Sequence, residues 1–437
     1  MKKFISFVIA AVLMMTMVTG CGSDKSKKET NENGEVTGKI SVQAEKAWVP
    51  YYEQAIARVK EKYPKAEVEI VEIGVFDHLD ILNSTDATNK DVADVFPFGL
   101  DGVGKLDKND NLAEFDALSM AEELGYSDFE SGLGSMLKID DRYLAIPYNI
   151  ETLIMFANKA NAKTSGIDLS KNIEFTDLKA QDMLAILHNG WFGVAFTNSV
   201  YLDLLSQDDS GEFHSDLVKD YTSLVKEQQD LFEAMFNYWK QHNEAGTDLW
   251  DKNASNGYLD SAFMTGNGTS LRLDGPWATP SLSEKTDGGK DLEILPINSV
   301  TVNGDPLAHW QAGWALGINI RIQEDKNKMT IAQELIKQIV NPEHAVELFK
   351  ATGKILPNVT AEKYQESDLE DMDKAVIEAV IKSYEKAVPR PVIPEWDNVW
   401  GTWENAILSW SAVKPENVED AYKQVQASFK AMLDTLK

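Results

Sequence analysis

The sequence predicts an α/β protein built as two lobes, on three observations. Strand-like and helix-like periods alternate from residue 39 onward, the pattern that pairs strands in parallel across intervening helices. About 400 residues follow the apolar N-terminal stretch, more than the roughly 250–300 at which one hydrophobic core stops growing. Hydrophobic residues make up 43% of the chain, ordinary for a globular protein.

The first element is a leader, MKKFISFVIAAVLMMTMVTGC. Lys2 and Lys3 precede an apolar run over 4–18, and small residues precede Cys21, the layout of a secretory signal peptide. The run is shorter than the roughly 20 residues that cross a bilayer as a helix, and no comparable run follows it. Cys21 is the only cysteine, so disulfides play no part. Val18-Thr19-Gly20-Cys21 resembles the lipobox of bacterial lipoproteins, which implies lipidation of Cys21 after cleavage. Residues 22–38 read as a flexible polar tether.

KISVQA, 39–44, alternates as a strand. Trp48, Tyr52, Ile56, Val59 and Tyr63 then recur at helical spacing, and Pro64 ends that helix. EVEIVEI, 67–73, is a second strand and DVFPF, 94–98, a short buried third. Strands are expected at 145–148 and 152–157, and one long helical stretch over 215–243. Further strands are expected at 270–273, 292–297 and 313–320. Asn341-Pro342 has the form of an N-cap and first turn, and Gly353 suits the stop of the same helix. The last helix carries the stripe Val418, Tyr422, Val425, Phe429, Met432 and Leu436.

The formal charge of −28 becomes −30 once Lys2 and Lys3 leave with the leader. Such a surface repels nucleic acid and anionic lipid. Eleven tryptophans are the compositional anomaly, and four of them, Trp396, Trp400, Trp403 and Trp410, fall within RPVIPEWDNVWGTWENAILSW. At i, i+4 and i+7 the first three can share one helical stripe, and core packing is the expectation for Trp403 and Trp410.

Landmarks recur in a fixed order: ADVFPFGLDGVGKL, YLAIPYNIETLIMFANKA, MTGNGTSLRLDGPWATPSL, HWQAGWALGINI, NPEHAVELFKATG and the Trp-rich segment. From residue 39 to the C-terminus the chain resembles the extracellular solute-binding proteins of sugar ABC importers, in the maltose/maltodextrin-binding branch. The resemblance implies a two-lobed periplasmic-binding-protein-like α/β fold with an interlobe ligand cleft and a hinge crossed repeatedly. It divides the chain into an N-terminal lobe, 39–149 plus 316–361, and a C-terminal lobe, 150–315 plus 362–437. It implies an oligosaccharide ligand, most specifically malto-oligosaccharide, ABC permease subunits as partners, a monomer, and a lipid-anchored place on the outer face of a bacterial membrane. Xylan- or mannan-derived oligosaccharides are the alternative ligands, and an adhesion lipoprotein the alternative outside transport.

The resemblance also implies site residues. Trp277, in DGPW, and Trp400 match stacking tryptophans. Phe98 stands where the family has a cleft tryptophan. Asp101 and Glu151 match acids that accept sugar hydroxyls, and Tyr201 matches a cleft tyrosine. Glu45, Lys46 and Trp48 occupy the turn after the first strand, where polar ligand contacts lie. Gly102 and Glu404 depart from the pattern, each replacing a basic residue. These residue types suit a pyranose. Flat rings cover its C–H faces, and carboxylates satisfy its hydroxyl rim through charge-assisted bonds. Trp310 and Trp314 flank an expected hinge strand, and Asp274 reads as a cap for the turn before Pro276.

Enzyme readings have less support. A glycoside hydrolase needs two placed carboxylates, and 70 acids always supply a pair. No Gly-x-Ser-x-Gly elbow occurs. The six histidines show no His-x-x-x-His pairing, so neither a metal nor a cofactor is expected. DKNDNLAEFDAL, 107–118, lacks the Gly and Glu of a calcium loop and reads as a loop into a helix.

Overall fold

The structure, a computed structural model, describes residues 35–85, 87–127 and 129–437. The leader, the lipidation site Cys21 and the tether as far as residue 34 lie outside the described residues.

Strand β1 (Thr37–Ala44) starts two residues before the predicted strand. It pairs in parallel along its whole length with β2 (Lys65–Glu72), from Thr37 opposite Lys65 to Ala44 opposite Glu72. Between them α1 (Val49–Lys62) has Pro50 in its first turn and buries Tyr51, Tyr52, Ala55, Ile56 and Val59. Helix α2 (Val75–Ser84) follows β2, and β3 (Val95–Gly99) pairs in parallel with β1. The chain then runs through β4 (Ala145–Glu151) and, after two residues, β5 (Ile154–Asn158).

Beyond β6 (Met183–Leu184) and α3 (Gly190–Thr197), the stretch expected as one helix over 215–243 is helical only from Lys226, as α4 (Lys226–Ala245). Ser215 accepts a hydrogen bond from Leu217 N at 3.2 Å and closes a turn. Lys219, Leu224 and Val225 have extended backbone, so residues 216–218 and 221–223 form separate single turns. Strands β7 (Leu271–Asp274), β8 (Leu292–Pro296) and β9 (Trp310–Ile318) follow. After them come α5 (Lys326–Ile339), α6 (Ala345–Thr352) and α7 (Asp371–Tyr384). The short β10 (Val388–Pro389) leads to α8 (Asp397–Val413) and α9 (Val418–Thr435). Gly353 stops α6 at φ 69° as its position predicts, and Asn417 caps α9.

Among the described residues, six strands form the larger sheet, in the order β10-β9-β3-β1-β2 with β4 paired to β9. The smaller principal sheet runs β8-β5-β7-β6. Pairing is parallel around β1, as the strand–helix alternation predicts, but β9 is antiparallel to both β3 and β4. The fold is the two-lobed α/β architecture. Its two cores interlock because single strands serve both. Trp310 and Ala312 of β9 lie in the second core, while Ala315, Leu316 and Ile318 lie in the first. Leu153, Met155 and Ala157 join the second core, and the alternate residues Ile154 and Phe156 join the first, on the side where α7 packs against β5 and β8.

Candidate binding cleft

Charged and aromatic groups converge on a cleft of about 700 Å³, within the range of small-ligand sites. Four connections bring side chains to it. The turn after β1 delivers Glu45 and Trp48, and the end of β3 delivers Asp101. The β4–β5 crossing delivers Glu151, and the turn after β7 delivers Trp277. At Glu151 the strands approach so closely that a Cβ on Gly313 would stand 1.9 Å from Asn149 O, so only glycine fits there.

Trp277 follows Pro276 in a single 3-10 turn and is 51% exposed, a large flat face left open to the cleft. Asp274 sets that turn as its position predicts. It accepts from Gly275 N at 2.8 Å and pairs with Arg272 at 2.7 Å. Glu151 accepts from Trp314 Nε1 at 3.2 Å, leaving other lone pairs for a ligand. Glu45 is half-buried and its carboxylate lies 3.4 Å from Val75 N. Trp48 lines the wall but is mostly buried, stacked on Tyr52 at 6.3 Å.

Three predicted residues are placed elsewhere. Lys46 is exposed and does not line the cleft. Tyr201 also lies outside it, 81% exposed on a left-handed backbone at φ 49°. Trp400 is not in the wall because its ring packs against Gly190 and sits edge-on to Trp310 and Trp396, at 5.7 and 5.0 Å. Phe98 reaches the cleft, but its ring is only 1% exposed; it backs the floor and offers no free face. Glu404, one of the two departures, pairs with Lys252 at 2.5 Å.

Two cations that the sequence reading did not single out hold the centre. Arg390 pairs with Asp101, and its guanidinium lies over Trp191, Trp310 and Trp400 at 5.4, 5.2 and 5.7 Å. Asp101 is therefore already engaged, and Trp400 acts one layer back, as part of the cage around Arg390. Lys354 lies 5.2 Å from the rings of Trp48 and Trp314 and 5.3 Å from Tyr148. Burial lowers its pKa, against the opposing pull of Glu151 and Glu45. Trp314 and Trp310 divide: Trp314 lines the cleft and Trp310 is buried under Arg390. A legible signal did exist for both cations. Each interrupts an otherwise apolar or proline-rich stretch, VPRPVIP and GKILP.

Chemically the cleft offers carboxylate acceptors at Glu45, Asp101, Glu151 and Asp397, cationic donors at Lys105, Lys354 and Arg390, and an open indole face. It has the groups to hold a polyhydroxylated ring. Away from it, the exposed Asp208, Glu212 and His214 converge at a hairpin, with their ligand-type atoms within 4.8 Å of one another. Glu212 immediately precedes the short strand Phe213–His214, where the sequence gives no metal-binding spacing.

A family model described as bacterial extracellular solute-binding protein matches residues 54–378. Maltodextrin-binding protein MdxE of Bacillus subtilis (strain 168) is 23% identical over 443 residues, covering 97% of each chain. A maltooligosaccharide ABC transporter solute-binding lipoprotein of Streptococcus pneumoniae serotype 4 is 23% identical over 413 residues, 91% of this chain and 90% of that one. Among solved structures, the maltose-binding periplasmic protein MalE of Listeria monocytogenes in complex with maltose superposes with a TM-score of 0.67 at 18% identity, over 90% of this chain and 98% of that one. MalX of Streptococcus pneumoniae in complex with maltopentaose gives 0.66 at 19%, over 90% and 99%. At such identities the structural likeness speaks for the fold.

Proposed function

The chain belongs to the bacterial extracellular solute-binding proteins, and on that premise we propose that it captures malto-oligosaccharides in the cleft and delivers them to an ABC permease. The observation that carries this reading is the half-exposed indole of Trp277 beside the carboxylates of Glu45, Asp101 and Glu151. The ring covers a sugar face and the acids take its hydroxyls. Relatives named for maltodextrin and maltooligosaccharide choose among sugars. The work is capture and release: the protein itself breaks no bond.

Closure is a hinge motion at the β4–β5 crossing and at β9. Ligand that touches both lobes favours the closed state by its greater affinity for it. Arg390 exchanges part of its contact with Asp101 as a hydroxyl arrives. A diacylated Cys21 keeps the protein at the outer face of the membrane. Among the described residues no helix is long and apolar enough to cross a membrane.

Titration calorimetry of the chain lacking its first 21 residues, with maltotriose and xylotriose, tests the reading. Saturable heat with maltotriose is expected. Binding of xylotriose alone overturns the proposed ligand, and silence with both overturns sugar capture. Cys21→Ser is expected to move the full-length protein from the membrane fraction to the medium.

A further inference from the structure

We infer that Phe76, on α2, is a second sugar-stacking platform of the cleft. The inference deepens the proposed function and rests on the cleft taking a glycan.

Helix α2 has three differently employed sides. Val75, His78 and Leu82, at i, i+3 and i+7, are buried in the first core. Asp77 and Asp80 are exposed to solvent. Phe76, Leu79 and Asn83 follow the buried set by one residue, a rotation of about 100° around the helix, and this stripe lines the cleft. The core therefore does not need a ring at residue 76, and Phe76 is 70% exposed.

A single exposed hydrophobic residue is ordinary. The coincidence at the cleft is not of that kind. Among the described residues three aromatic side chains are largely exposed, Phe76, Tyr201 and Trp277, and two of them line the same cleft, Phe76 from α2 and Trp277 from the turn after β7.

The ring is also held in place. It meets Trp314 edge-to-face, at 5.6 Å and 73°, and Trp314 is fixed through Nε1 to Glu151. A ring already oriented loses little rotamer freedom when a ligand stacks on it. Asn83, on the same stripe, supplies an amide that can both donate to and accept from a hydroxyl. An apolar platform with an amide along the same helix fits one further pyranose unit, its C–H face on Phe76 and its rim toward Asn83. The feature thereby sets chain length: short glycans are held at Trp277 and longer ones also occupy α2.

The test compares wild type, Phe76→Leu and Phe76→Trp by calorimetry with maltose, maltotriose, maltopentaose and xylotriose. Leucine keeps apolar bulk against Trp314 and removes the flat face; tryptophan keeps the face. Phe76→Leu is expected to lose roughly ten- to hundredfold in affinity for the longest glycan that wild type binds, with little change for the shortest, and Phe76→Trp to retain it. Equal affinities in Phe76→Leu and wild type overturn the platform. A uniform loss at every length also overturns it, by making Phe76 a prop for Trp314. Wild type binding xylotriose alone, with that affinity lost in Phe76→Leu and kept in Phe76→Trp, keeps the platform and overturns the malto-oligosaccharide reading. Wild type silent with all four overturns both.

Discussion

Trp277 lies where it does because residue 275 has no side chain. A Cβ there would stand 2.1 Å from the Trp277 ring, although the backbone at φ −94° would accept alanine. Gly275→Ala therefore acts on the indole and spares the backbone. It is expected to weaken maltotriose binding by ~1–3 kcal/mol, as removal of a stacking ring does, with melting unchanged. Calorimetry beside a thermal melt checks this, and normal binding would detach Trp277 from the ligand. The family resemblance at DGPW makes this residue legible. Arg390, Lys354 and Phe76 are less so, because their roles depend on which surface faces them across the cleft. Tyr201 shows the converse: it matches a cleft tyrosine in sequence, yet it lies exposed on a left-handed backbone outside the cleft.

At the scale of elements, the Trp-rich segment resolves into helix α8. Trp396, Trp403 and Trp410 recur every seven residues and are all buried, so most of these rings are core. Trp403 is fixed further by Nε1 donating to Leu187 O at 2.8 Å. Trp403→Ala should cost ~3–5 kcal/mol of stability, read as a lowered urea midpoint. Trp400, one turn after Trp396, stands apart, half-buried against the Arg390 guanidinium. Strict periods made β1, α1, β2 and α9 readable to within two or three residues. Hydrophobic periodicity extends the helix over residues 215–225 because it does not register that the Ser215 hydroxyl oxygen accepts from Leu217 N, a local bond that closes a separate turn.

Across the whole molecule, buried histidines couple stability to pH. Burial pushes His78 and His242 down to about 4 and His309 down to about 3. The unfolded chain protonates them near the ordinary ~6.5. From there down to the folded values the unfolded state binds more protons, so stability falls as pH drops through that window. Each histidine contributes up to ~1.4 kcal/mol per pH unit. Above the window all three are neutral in both states and the contribution is constant. Calorimetric melts should therefore shift more between pH 7 and 5 than between pH 9 and 7; a flat response between 7 and 5 would count against this origin. His78 is on the buried face of α2, and His309 immediately precedes β9 and bonds Trp191 O at 2.9 Å, so the loss is felt at well-separated parts of the fold.

Strand β9 gives Trp310 to one core and Leu316 to the other, and β5 before it gives Met155 to one and Phe156 to the other. Neither lobe is therefore a continuous stretch of gene. A single recombination crossover cannot replace one lobe with a relative's and leave the other intact, since any cut between these passages divides the coding sequence of both. Through any single crossover, the two walls of the cleft are inherited in pieces of both.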